Sequence, residues 1–120
     1  MSIRKGLRYE DRARIYLQNQ GLNLLQQNFS CRYGEIDLIM RDHDCICFIE
    51  VKFRESMAYG GAASAIPLSK QRKLVKTALF YIAAHRQLNR QGLRFDAFLI
   101  QRHPDGNDRY DWIRNAFYAE

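Results

Sequence analysis

The chain has 120 residues, 47% hydrophobic and 27% charged, a composition that suits one soluble domain able to bury a core without disulfide staples. A formal net charge of +6, carried by arginines spread along the chain rather than gathered in a tail, favours a folded basic face and a polyanionic partner. No apolar run approaches the roughly 18 residues that span a membrane, and no apolar segment follows the basic start MSIRKGLRYED, so the expected location is cytoplasmic with no membrane partner.

In chain order, residues 9–20 favour a helix. Ala13, Tyr16 and Leu17 form its apolar stripe, and Gly21 stands as its stop. Residues 22–32 (LNLLQQNFSCR) read as a short irregular strand. A strand over 35–41, a turn at Asp42-His43-Asp44 and a strand over 45–54 follow. In the second of these, Cys45, Cys47, Ile49, Val51 and Phe53 face one way, while Ile46, Phe48, Glu50, Lys52 and Arg54 face the other. Residues 55–68 (ESMAYGGAASAIPL) read as a loop. Ser69 is a fair N-cap for a helix over 70–87, with Leu74, Val75, Ala78, Leu79 and Ile82 as its inward stripe. LRFDAFLIQ, 93–101, is a strand, and after the turn residues HPDGND the segment 110–117 is read as the last one. The order α-β-β-β-α-β-β implies an α/β fold with a mixed sheet flanked by helices, the strand–helix–strand passage giving a parallel, right-handed crossover.

Three cysteines (Cys31, Cys45, Cys47) without a CxxC, and three scattered histidines, give neither a disulfide framework nor a zinc site. The unusual residues are charged ones in strands. Asp37, Glu50 and Lys52 fall where burial is costly unless a partner compensates. Asp37, twelve residues, then Glu50-Val51-Lys52 places two carboxylates on adjacent strands with the Val51 carbonyl between Glu50 and Lys52, an all-oxygen set suited to Mg²⁺ or Mn²⁺. Such an ion polarises a phosphoryl oxygen and acidifies bound water, and a nearby lysine can orient that water and offset developing charge. The triplet alone is equally compatible with a cross-strand ion pair on a solvated face. Glu10, on the helical side of Ala13 and Leu17, adds an inward acid, and Lys70, one turn before Leu74, adds an inward cation. Taken singly, Glu10 also suits the helix dipole and Lys70 a snorkelling role.

The sequence resembles the bacterial UPF0102 (YraN-like) family. The resemblance rests on Gly6, Glu10 and Ala13 in G-x-x-x-E-x-x-A, on Tyr16-Leu17, and on Asn28 and Arg32 ahead of GEIDLI at 34–39. It continues through FIEVKFR at 48–54, Lys70, RFD at 94–96 and NAF at 115–117. That family is similar to Holliday-junction resolvases and other PD-(D/E)XK nucleases. The resemblance implies a restriction-endonuclease-like core in which Asp37 and Glu50, with Val51, would hold Mg²⁺ or Mn²⁺. Lys52 would be the catalytic lysine, Glu10 the helical acid that completes the site, and Lys70 and Arg54 would meet the substrate. It further implies a nucleic-acid partner, DNA foremost and branched or junction DNA in particular, and a homodimer for a two-fold substrate. The competing expectation is a non-catalytic nucleic-acid-binding or scaffolding module that keeps the fold, its carboxylates merely paired with Lys52 and Arg54.

Overall fold

A computed structural model of the protein describes residues 8–55 and 66–119. Its elements are α1 (Tyr9–Asn19), β1 (Asn23–Cys31), β2 (Gly34–Asp42), β3 (Cys45–Arg54), α2 (Leu68–Ala84), β4 (Gly92–Arg102) and β5 (Asp108–Phe117), with a 3₁₀ turn at Arg86–Leu88. The predicted order α-β-β-β-α-β-β is the observed one. The five strands form a single mixed sheet in sequence order, β1-β2-β3-β4-β5. All neighbours are antiparallel except β3 and β4, which run parallel because α2 carries the chain back between them.

The two helices serve opposite faces, and the alternation in β3 decides which residues meet which helix. Cys47 and Ile49 pack with Ala13 and Leu17 of α1, together with Leu38, Met40, Phe98 and Ile100. Ile46 and Phe48 pack with Leu74, Ala78 and Tyr81 of α2, together with Phe95, Ala97 and Leu99. A sheet covered on both faces explains why β4 reads as an almost unbroken apolar run. Among the described residues no helix is long and apolar enough to cross a membrane.

The structure corrects the sequence reading of α2 at both ends and along its stripe. Ser69 is not the N-cap; Pro67 is, with φ −61° already set for helix entry, and Leu68 opens the helix. The helix stops at Ala84 rather than Gln87, because the His85 ring nitrogen Nδ1 bonds the Tyr81 carbonyl at 2.8 Å and the chain tightens into the 3₁₀ turn that buries Leu88. Leu79 lies outward, 55% exposed, while Thr77 and Tyr81 take the inward places. The Thr77 hydroxyl tolerates burial by donating to the Lys73 carbonyl at 2.8 Å. The loop expected over 55–68 lies, for residues 56–65, outside the described residues, as does Gly6.

Gly34 ties the turn before β2 to α2. Its φ of +152° disfavours a side chain, and a Cβ there would stand 3.1 Å from Thr77 Oγ1. The GEIDLI segment therefore enters the sheet pressed against the helix that carries Lys70.

Candidate active site

Asp37 sits where regular strand geometry fails. Ile36 and Ile39 both pack on the α2 side, whereas Leu38 and Met40 pack on the α1 side. Strict alternation cannot put residues three apart on one face, so the backbone adjusts between them. The partner strand adjusts at the same level. Asn28, which faces Asp37 between the pairs Gln27–Leu38 and Phe29–Ile36, is left-handed at φ 57°, a conformation asparagine tolerates.

On the other side, the β2–β3 ladder ends at Leu38–Ile49. Beyond that pair the Asp37 side chain replaces the main chain as acceptor: Val51 N donates to Asp37 Oδ2 at 2.8 Å. In a strand the N–H and C=O of one residue point to the same edge. The Val51 carbonyl is therefore directed into the opening between β2 and β3, beside Asp37.

Glu50, one residue earlier, turns its side chain to the α2 face. It is 5% exposed, and its Oε2 lies 2.9 Å from the Lys70 ammonium in the first turn of α2. That bond raises the Lys70 pKa against the desolvation that lowers it. Asp37 is perturbed in the opposite sense to an ordinary paired acid. Burial pushes its carboxyl up to about 6, the Val51 N–H works against that rise, and the negative charges of Glu50 and Glu10 add to it, with Lys70 partly offsetting them. Three carboxylates and one ammonium thus share an electrostatic neighbourhood, although they come from α1, β2, β3 and α2.

Glu10 reaches this neighbourhood because the first turn of α1 is pinned over the end of β3. The Tyr9 ring stacks on Phe53 with centroids 4.4 Å apart and planes within 7°. Arg12 then ties α1 to β5 through Asp108 at 2.9 Å. The Glu10 carboxylate also lies 3.5 Å from Arg8. Lys52 follows Glu50 on the same face, aligned with Leu99 of β4; it is half-buried, with no ion-pair partner among the described residues. Arg54 closes β3 and is half-buried. The structure brings Glu10, Asp37, Glu50 and Lys70 within electrostatic reach of one another. Among the described residues no three His, Cys, Asp or Glu side chains converge to hold a metal ion.

A second charged cluster was not legible as such. Asp96, 1% exposed, accepts from Arg94 Nε at 2.9 Å, from the Trp112 indole at 3.0 Å and from Asn115 N at 3.1 Å. Arg94 continues to Asp42 Oδ2 at 3.0 Å. Burial works against the Arg94 charge, but its bonds to Asp96 and Asp42 outweigh it and hold the guanidinium firmly protonated. Asn115 is left-handed at φ 54°, and the β4–β5 register shifts between Phe95 and Ala97. The RFD and NAF segments therefore meet in a structural clamp that secures β5. The available signal was an aspartate inside the apolar run LRFDAFLI.

The family model described as "Uncharacterised protein family UPF0102" matches residues 9–100. The chain belongs to UPF0102. It is 46% identical over 113 residues to a UPF0102 protein of Nitrosomonas europaea, covering 94% of this chain and 92% of that one. It is 41% identical to one of Alcanivorax borkumensis, covering 92% and 89%, and 43% identical to one of Vibrio parahaemolyticus, also covering 92% and 89%. The matched segment runs from the first turn of α1 through β4, so Glu10, Asp37, Glu50, Lys52 and Lys70 all lie within the part shared with UPF0102.

Proposed function

We propose that this UPF0102 protein is a nuclease with a restriction-endonuclease-like core that hydrolyses phosphodiester bonds in DNA, branched or junction DNA in particular, with Mg²⁺ or Mn²⁺ as cofactor. The observation that carries the reading is the Asp37–Val51 contact at the divergence of β2 and β3. It sets a carboxylate and a main-chain carbonyl side by side, next to the buried Glu50, with Asp37 raised toward neutrality by its surroundings. A group of hard oxygens that repel one another and lack sufficient positive charge suits a small divalent cation. Asp37, Glu50 and the Val51 carbonyl would hold it, and the ion would supply Lewis acidity toward a phosphoryl oxygen and a water of lowered pKa.

The chain's own groups have distinct tasks in this reading. Lys52, on the Glu50 face, orients the attacking water and offsets charge on the phosphorane-like transition state. Glu10 adds an acceptor for water from the α1 side. Lys70 and Arg54 engage flanking phosphates, and a homodimer would present two such sites to a symmetric junction.

A second reading has its own support. The partner of Glu50 is Lys70 rather than the Lys52 or Arg54 this reading expected, but the ion pair still gives Glu50 a structural occupation compatible with a non-catalytic nucleic-acid-binding module on the same fold. Cleavage of labelled linear, flapped, four-way and single-stranded DNA, with RNA controls, separates the two. Wild type and Glu50→Gln are compared in Mg²⁺, Mn²⁺ and EDTA. Metal-dependent cutting by wild type and none by the variant is expected; DNA binding without cutting by either moves the assignment to the binding module.

A further inference from the structure

Helix α2 carries Lys70, Arg72, Lys73 and Lys76 and no acidic residue. Cations in the opening turns of a helix oppose its dipole, so this arrangement weakens α2 unless negative charge arrives from outside. Lys70 finds Glu50. Arg72 and Lys76 are exposed and have no ion-pair partner among the described residues. Four residues apart, they stand one above the other on a single flank, about 6 Å apart along the axis.

That flank is one wall of an open groove between α2 and the C-terminal end of β5, with a volume of about 580 Å³. Val75 and Phe117 line it, and so does Tyr118, which is 76% exposed. Among the described residues no acidic side chain lines the groove. It starts at the turn that holds Lys70, since Leu68 belongs to both. The opposite flank of α2 differs: there Phe80 packs against Phe29 and Tyr33, and Lys73 lies beside Gly34. Lys73 is exposed there without an ion-pair partner among the described residues, but it stands singly, whereas Arg72 and Lys76 form a pair over the groove.

We infer that this groove carries the phosphate backbone of the nucleic acid running away from the candidate active site. Arg72 and Lys76 each meet a phosphate, and Tyr118 offers its ring to an unpaired base. The inference rests on the nucleic-acid reading above and adds the surface that binds. An acidic protein partner or a second copy of the chain is the competing occupant, and the test distinguishes them.

The test is fluorescence anisotropy of labelled four-way and single-stranded DNA in EDTA, repeated between about 50 and 200 mM salt. Wild type, Arg72→Ala/Lys76→Ala, Tyr118→Ala and the exposed control Arg90→Ala are compared, with thermal melts and sedimentation confirming fold and mass. The double variant is expected to lower the slope of log affinity against log salt by about two, with Arg90→Ala unchanged. Tyr118→Ala is expected to weaken single-stranded binding at least fivefold and to leave the slope intact. A folded double variant with the wild-type slope overturns the inference while leaving the nuclease reading standing. A change in mass with an unaltered slope overturns it in favour of a protein interface. Absence of DNA binding by the wild type removes the nucleic-acid reading and this inference with it.

Discussion

The ammonium of Lys70 stands 2.9 Å from Glu50 Oε2, joining the first turn of α2 to the point on β3 where β2 leaves it. The Glu50 side chain is 6% exposed and that of Lys70 is 43%, so a nearly dry carboxylate is balanced by a cation half in water. Solvent screens such a pair to about 1 kcal/mol of net attraction, but removing the cation leaves the full desolvation cost of the acid. Lys70→Ala is therefore expected to destabilise the protein by about 2 kcal/mol at neutral pH, and Glu50→Gln by less. A double-mutant cycle by urea denaturation should give a coupling near 1 kcal/mol. Equal costs for the two single variants would mean the pair is not what holds Glu50.

Asp37 makes acidity stabilising. Its pKa is 3.8 as an ordinary side chain and about 6 in the fold, first because of burial and then because of Glu50 and Glu10. A raised acid favours the folded state while protonated, so its contribution is complete below about pH 4 and is lost as pH rises through 6. A rise from 3.8 to about 6 corresponds to at most about 3 kcal/mol. Asp37→Asn keeps an acceptor for the Val51 N–H and removes the charge. In EDTA it is expected to raise the melting temperature at pH 8 and to leave it unchanged near pH 3.5. A gain of the same size at both pH values would locate the effect outside the ionisation of Asp37.

Alternation in Cys45–Arg54 was sufficient to assign β3, its two faces and the shared orientation of Glu50 and Lys52, because a strand buried on both sides leaves one workable register. Glu10 and Lys70 were legible because helical spacing links each to apolar neighbours that do bury. The irregularity that parts β2 from β3 at Asp37 was not. It depends on the adjustment between Ile36 and Ile39 and on left-handed Asn28, and no periodicity announces an irregularity in which a side chain replaces a ladder bond. The stop of α2 escaped for a similar reason: His85 captures the Tyr81 carbonyl through its ring, which composition cannot foretell. Asp96 resembled Asp37 in the sequence, an acid amid apolar residues, yet its three donors come from Arg94, Trp112 and Asn115, two of them on β5, far along the chain.

Those donors make Asp96 a structural residue, and its removal should separate stability from chemistry. Asp96→Ala leaves the Arg94 guanidinium buried beside Asp42 alone and frees the Trp112 indole, at an expected cost of about 3–5 kcal/mol. Asp96→Asn retains part of the acceptor capacity and is expected to cost about 2 kcal/mol. Trp112 is the single tryptophan of the chain, so its fluorescence reports the detachment of β5 directly. Denaturation followed at Trp112 and by far-UV circular dichroism should show the loss in both signals. A change of less than about 1 kcal/mol for Asp96→Ala would contradict the clamp.

A divalent cation held by Asp37, Glu50 and the Val51 carbonyl would compete with Lys70 for Glu50 and with a proton for Asp37. Mg²⁺ or Mn²⁺ at a hundredfold excess over its dissociation constant is expected to stabilise the wild type by about 2.7 kcal/mol, seen as a rise in melting temperature that EDTA reverses. The rise should be small at pH 5, where Asp37 is mostly protonated, and full at pH 8. Asp37→Asn and Glu50→Gln should abolish it. Lys70→Ala should do the reverse of what it does to the metal-free fold: the apo protein is weaker, yet the ion binds more tightly because Glu50 no longer has a resident partner. Isothermal titration of Mn²⁺ into wild type and Lys70→Ala measures that difference. Weaker binding by Lys70→Ala would mean that Lys70 and the metal do not share Glu50 and that the ion sits elsewhere.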